Sequence, residues 1–252
     1  MNKVLFNWKG YDWMNGQPWG EAHPDSKYVW YADKNEAKLV AYDCISLNIN
    51  NHEKYFPEIN QTKKYGCGCI STCETFTYGN FHFEYILPIG IHLWPAIWLS
   101  GLDSWPPEID IVEGWSGNGY FIKNQPNYKK FIGFNRIHPG VYYGKDENGN
   151  PIGKAFGSFG ANDVTYACYQ STKGKLNTCD LEWWPDYVRV YYNRHKVMEI
   201  KDKSILDGLS GRMYVCIDLA AGNNFTQDDY EKYVANGLPF IIKDFVYSHE
   251  ES

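Results

Sequence analysis

Three carboxylates fall close together in Trp105-Pro106-Pro107-Glu108-Ile109-Asp110-Ile111-Val112-Glu113-Gly114-Trp115, at Glu108, Asp110 and Glu113. Apolar, mostly β-branched residues stand between them. Side chains on a strand alternate faces, so Glu108 and Asp110 share a face while Ile109 and Ile111 point to a core. Strict alternation would send Glu113 to the core face as well, where an unpaired carboxylate is costly. One extra residue at Ile111-Val112, a β-bulge, returns Glu113 to the carboxylate face, and bulges are common beside active sites. The spacing therefore predicts three acids on one face of a bulged strand. Neighbouring acids push their pKa values apart, so one stays ionised as a nucleophile while another stays protonated as a general acid. Retaining glycosidases use such a pair, with carboxyls about 5–5.5 Å apart. The residues alone do not say which acid plays which part. A solvated strand face is the plainer reading of an arbitrary E-x-D-x-x-E spacing. Clustered acids also suit Ca²⁺ or Mg²⁺, but no EF-hand-like loop accompanies these.

The elements that must position the acids read as strands. The chain has 252 residues, within the range of one large β domain, and a single domain over 1–252 is expected. Aromatic residues make up 17% of it. They favour strands, and flat rings also bind the apolar faces of sugars. Turn signals recur at Asn15-Gly16, Asn148-Gly149-Asn150-Pro151, Lys173-Gly174, Pro185-Asp186 and Gly222-Asn223, with short apolar runs between them. That pattern predicts an all-β sandwich or barrel. Phe81, Phe83, Tyr85 and Leu87 alternate with His82, Glu84 and Ile86, and Tyr187 to Tyr192 alternates likewise. The apolar stretch from Tyr85 to Leu99 reads as two buried strands joined by a turn, too short to cross a bilayer as a helix. Gln227 to Ala235 is the expected helix, with Thr226 as N-cap and Asp228 and Asp229 in its first turn.

The formal net charge of −6 argues against a nucleic-acid partner, which would show a basic face. Seven Cys is an odd count, so at least one thiol lacks an intramolecular disulfide partner. No second Cys or His pair stands at zinc-finger spacing, and most thiols read as small buried hydrophobes. Cys168 and Cys179 have the separation of a bridge across a hairpin turning at Lys173-Gly174. The apolar run Val4-Leu5-Phe6 is too short for a secretory h-region, so an intracellular chain or one without its leader is expected. No G-x-S-x-G elbow supports a serine hydrolase.

The surroundings of the acids resemble glycoside hydrolase family 16, the laminarinase, lichenase, agarase and carrageenase group. Glu108 to Glu113 matches its E-I-D-x-x-E signature in the bulged form. Leu93-Trp94-Pro95-Ala96-Ile97-Trp98-Leu99 looks like its W-P-A-x-W strand. Tyr78-Gly79-Asn80-Phe81, followed by Leu87-Pro88, is similar to its Y-G-x-F strand ending in Pro. Glu182-Trp183-Trp184-Pro185-Asp186 resembles its E-W-x-P-D segment. Tyr214 to Gly222 looks like the strand ending in A-x-G, and Lys243 to Tyr247 like the closing D-Y-V-x-V-Y strand. The matches keep the family's order from about Tyr65 to Tyr247, and Trp19 and the strand-like Lys38 to Ile49 fit more loosely. His82 and Glu84 stand where the family has E-x-R or E-x-K, and Pro107 stands where it has Gly, which bears on the loop before Glu108.

The resemblance implies a concanavalin A-like jelly-roll sandwich of two antiparallel sheets with a concave glycan cleft. It implies an extracellular or periplasmic, monomeric, retaining endo-β-glycanase, with a polysaccharide as partner and neither membrane nor nucleic acid. It makes Glu108 the nucleophile, Glu113 the acid/base, and Asp110 the residue that tunes Glu108 through a hydrogen bond. Substrate contacts are expected from Trp94, Trp98, Trp115, Asn135, Arg136, His138 and Trp183. No cofactor is required, although Asp244 is a candidate ligand for a structural Ca²⁺. The expected substrate is a β-1,3- or mixed-linkage glucan. A galactan hydrolase (agar, porphyran or carrageenan) or a transglycosylase would use the same site, and a lectin-like module would keep the sandwich without the chemistry.

Overall fold

The computed structural model describes residues 4–22, 26–32, 36–116, 135–155 and 176–250. Its strands form two sheets packed face to face. The larger has the order β1 (Val4–Trp8), β2 (Tyr11–Asn15), β7 (Gln61–Thr72), β16 (Met213–Ala221), β9 (Leu93–Gly101), β10 (Glu108–Ser116), β11 (Asn135–Lys145) and β12 (Pro151–Ala155). Two further strands, β3 (Val29–Ala32) and β6 (Ile49–Phe56), pair with the long β7. The smaller sheet runs β15 (His195–Ile200), β14 (Tyr187–Tyr192), β13 (Leu176–Trp184), β8 (Gly79–Ile86), β17 (Phe240–Ser248), β5 (Cys44–Leu47) and β4 (Ala37–Val40). This is the expected jelly-roll sandwich. One pairing departs from the antiparallel expectation, since β3 runs parallel to β7.

The alternation in the sequence places the core. In β8 every second side chain is buried, with Phe81, Phe83 and Tyr85 facing inward. In β14 the inward set is Val188, Val190 and Tyr192. Across the gap stand Ile97, Leu99, Ile109, Ile111, Val215, Ile217 and Leu219 of the larger sheet, in the same apolar cluster. Each such buried side chain contributes about 1.5–3 kcal/mol. Phe83 stacks on Phe245 of β17 at 4.8 Å between ring centroids. Pro185-Asp186 makes a two-residue hairpin, with Trp184 opposite Tyr187. The two strands read from Tyr85 to Leu99 exist, but they lie in opposite sheets, so the turn between them crosses the sandwich.

The predicted helix spans Gln227–Asn236, with Thr226 as N-cap in a capping box completed by Asp229. A second, short helix, Lys203–Gly208, was not expected. It starts where the Asp202 side chain accepts a hydrogen bond from the Ser204 N–H. No helix of the described residues is long and apolar enough to cross a membrane.

Candidate active site

Strand β10 carries the predicted bulge at the predicted place. Against β9, Asp110 stands opposite Trp98 and Val112 opposite Ile97, so Ile111 is the extra residue. Against β11, Asp110 faces Gly140 and Glu113 faces His138, the same one-residue slip. Ile109, Ile111 and Val112 are all fully buried in the core. Glu108, Asp110 and Glu113 are therefore the successive side chains on the outer face of the larger sheet.

Three local devices hold this arrangement. The Tyr192 hydroxyl reaches across from the smaller sheet and donates to the Ile111 carbonyl at 2.6 Å. A bulged residue drops out of the ladder, and a buried carbonyl without a donor costs about 1–3 kcal/mol. Gly114, next to Glu113, packs under Pro95. A Cβ there would lie 2.7 Å from Pro95 Cγ, so the W-P-A strand and the glycine fit only together. At the other end, the Gly101 N–H donates to the Pro107 carbonyl, tying the loop before Glu108 to β9.

Each acid has distinct partners. Glu108 is half-buried, and the exposed Trp105 donates its indole N–H to Glu108 Oε2 at 2.8 Å. Trp105 itself leans on Tyr142, with ring centroids 5.5 Å apart. Asp110 is buried and hydrogen-bonded to Glu108. Burial first, then the charges of Glu108 and Glu113, push the Asp110 carboxyl well above the usual carboxylate range. Both effects favour the protonated form of Asp110, the form that can donate to Glu108. Glu113 accepts from the Trp94 indole at Oε1 (3.1 Å) and meets His138 Nε2 at Oε2 (2.8 Å).

A fourth carboxyl, absent from the sequence reading, lies on the same face. Asp218 of β16 stands opposite Ala96, which stands opposite Glu113. It accepts from the Trp98 indole at 2.8 Å. Burial, reinforced by the charge of Glu113, pushes Asp218 up to about 7 from 3.8, even though the Trp98 bond pulls it down. Trp98 also meets the half-exposed Trp19 edge to face at 6.2 Å.

Of the predicted contacts, Trp94, Trp98 and His138 join the carboxylates. Trp115 pairs with Arg136 and Ser116 with Asn135 through the backbone, and the side chains of Trp115, Asn135 and Arg136 lie outside what the structure describes. Trp183 requires a correction. It is 1% exposed, belongs to the smaller sheet, and packs against Tyr78 inside the sandwich at 5.1 Å. In β13 the residues facing away from the core are Asp180 and Glu182, so alternation sends Trp183 inward. Asp244 pairs with Lys9 at 3.2 Å. Among the described residues no group of three His, Cys, Asp or Glu side chains is placed to hold a metal ion. Cys179 is a fully buried core residue, and Cys168, with the Lys173-Gly174 turn, lies outside the described residues.

Sequence reasoning missed Trp105, Asp218 and Tyr192. Asp218 did leave a signal, as a lone acid two residues from Cys216 in an apolar strand. Trp105 and Tyr192 left none, because their partners lie across a loop or across the core.

Comparison with known proteins follows the geometry. No protein-family model matches the chain. A galactan endo-β-1,3-galactanase of Flammulina velutipes is 31% identical over 115 residues, 42% of this chain and 44% of that protein. An endo-1,3-1,4-β-glycanase of Rhizobium meliloti, ExsH, is 44% identical over 117 residues, 42% of this chain and 25% of that protein. The chain thus matches less than half the length of these curated relatives. Among solved structures, a glycoside hydrolase family 16 endo-glucanase from Bacteroides ovatus superposes with a TM-score of 0.64 at 18% identity, covering 97% of both chains. The sandwich is the fold of glycoside hydrolase family 16 glucanases, and the resemblance read from the strand motifs stands.

Proposed function

We propose that the chain is a retaining, endo-acting hydrolase of a β-linked polysaccharide. The observation that carries this reading is the bulge at Ile111-Val112, which sets Glu108, Asp110 and Glu113 side by side on one face. Glu108 attacks the anomeric carbon. Its charge is held by the Trp105 indole and the Asp110 proton, neither of which neutralises it with a fixed cation. Glu113 gives its proton to the leaving oxygen, and a glycosyl-enzyme forms. Glu113 then takes a proton from the water that releases the sugar. Trp94 and His138 grip both oxygens of Glu113, which fixes the direction of proton transfer.

The relatives' activities support a β-1,3- or mixed-linkage glucan as substrate, and the Flammulina galactanase supports a β-1,3-galactan as the second choice. Reducing-sugar release from laminarin, lichenan, agarose and κ-carrageenan tests the reading. Glu108→Ala is expected to lose turnover by at least about a thousandfold while still binding the polymer. Unchanged turnover would refute the nucleophile assignment, and binding without product from any polymer would favour a lectin-like module.

A further inference from the structure

The outer face of the smaller sheet, on the far side of the sandwich from Glu108 and Glu113, holds a cavity of about 340 Å³. That is within the usual size of small-ligand pockets, about 300–1,000 Å³. Two rows of side chains cross its floor. Val246, His82, Asp180 and Tyr191 stand opposite one another on β17, β8, β13 and β14, and Ser248, Asn80 and Glu182 form the next row. A sheet face is ordinarily open, and here both ends are walled. Arg194, in the two-residue turn between β14 and β15, lines one end. At the other end the chain past Ser248 folds back over the sheet. His249 stacks on Trp184 with ring centroids 5.6 Å apart, and the Asn80 amide donates to the Glu250 carbonyl at 2.8 Å.

The hydrogen-bonding capacity of this bowl is half used. Asp180 Oδ1 meets His82 Nδ1 at 2.6 Å, and Glu182 Oε2 accepts from Arg189 and from the Tyr191 hydroxyl. Asp180 Oδ2, Glu182 Oε1 and the Arg194 guanidinium make no hydrogen bond with any described residue. Acceptors therefore stand beside an open fork of donors. A sugar ring with neighbouring hydroxyls, each able to donate and accept, matches that pattern. Val246, 51% exposed, offers apolar surface to the C–H face of a ring. His82 and Arg194 line the bowl against Asp180 and Glu182, so no field of one sign draws in an ion.

We propose that this bowl is a second, non-catalytic glycan site that holds an uncharged sugar unit of the polysaccharide cleaved on the opposite face. The proposal rests on the hydrolase reading and adds a tether to it. A chain held on the rear face keeps the cleft close to further chains of the same polymer, which raises their effective concentration.

Calorimetric titration of Glu108→Ala with laminarin, lichenan and agarose oligosaccharides tests this, because binding is then read without turnover. The expected result is two sites per chain. Arg194→Gly, placed on Glu108→Ala, is expected to weaken one site by at least about tenfold and to leave the other. Arg194 has φ 71°, a conformation that glycine adopts freely, so this variant keeps its fold. Val246→Asp, at an exposed position, is the second variant and should weaken the same site. A single site in Glu108→Ala, no binding of any of these sugars, or two unaltered sites in both variants overturns the proposal. Filling of the second site by κ-carrageenan oligosaccharides alone overturns it as well, since those carry sulfate. If the wild type cleaves no polymer, the hydrolase reading fails, while the count of sites still decides the bowl.

Discussion

The two outer faces of the sandwich both carry rows of carboxylates, and they treat them differently. On the smaller sheet the acids are met by cations. Arg189 bridges Glu199 at 2.7 Å and Glu182 at 3.3 Å, and His82 meets Asp180 at 2.6 Å. Arg189, helped by Lys196, holds Glu199 down to about 2, so its charge is locked on. On the larger sheet an indole meets each of three acids, Trp105 on Glu108, Trp94 on Glu113 and Trp98 on Asp218, and His138 meets the second Glu113 oxygen. An indole N–H orients a carboxylate but brings no neutralising charge. The acids there feel one another and their burial instead, so Asp110 and Asp218 are pushed up. The first face neutralises its carboxylates with cations, and the second leaves them to one another and mostly to neutral donors.

The sharpest way to break this contrast is to remove one acid from the indole-lined face. Glu113→Ala should lower kcat by about 10²–10⁴-fold, most severely for substrates with poor leaving groups. Added azide should restore part of the rate by replacing the activated water. A rate within a factor of two of wild type would show that Glu113 is not the acid/base.

Next in size is the clamp beneath that face. Tyr192→Phe leaves the Ile111 carbonyl without its donor from the smaller sheet. The expected cost is about 1–3 kcal/mol in urea unfolding, together with a lower kcat as the bulge relaxes and Glu113 loses its aim. Full stability and full activity would show that the bulge is held by β9 and β11 alone.

The smallest effects are opposite pH dependences on the two faces. Asp218 has its folded pKa raised from 3.8 to about 7, so the native state holds a proton that the unfolded chain releases. Wild-type stability should therefore fall between pH 4 and 7 relative to D218N, and the difference should level off above 7. Glu199 is lowered from 4.5 to about 2, so its contribution exists above the unfolded value and disappears as pH falls through about 2. Wild type should exceed Glu199→Gln at neutral pH by a small margin that shrinks with acid and with salt. Parallel rather than opposite pH trends in the two variants would erase the distinction between the faces.

Much of this was legible in the sequence because it is local. The bulge follows from counting faces along six residues, and the inward faces of β8 and β14 follow from period-two alternation. The capped helix follows from Thr226 and the acids behind it. What could not be read depends on which strands become neighbours. Asp218 joins the site only because β16 pairs with β9, more than a hundred residues away in sequence. Trp183 misled because a tryptophan in an E-W-x-P-D segment has the same appearance in a core as in a cleft. Its neighbours Asp180 and Glu182 take the outward positions, and parity leaves it the core.

The most direct measurement is to trap the reaction on the strand itself. A substrate oligosaccharide with fluorine at C2 and a dinitrophenyl leaving group would be reacted with the intact protein, digested, and the modified peptide sequenced by mass spectrometry. A single covalent sugar on Glu108, formed in wild type and reduced in Glu108→Gln, is the predicted result. A sugar on Glu113 or Asp110, or hydrolysis with inversion and no adduct at all, would contradict the pairing of Glu108 as nucleophile with Glu113 as acid.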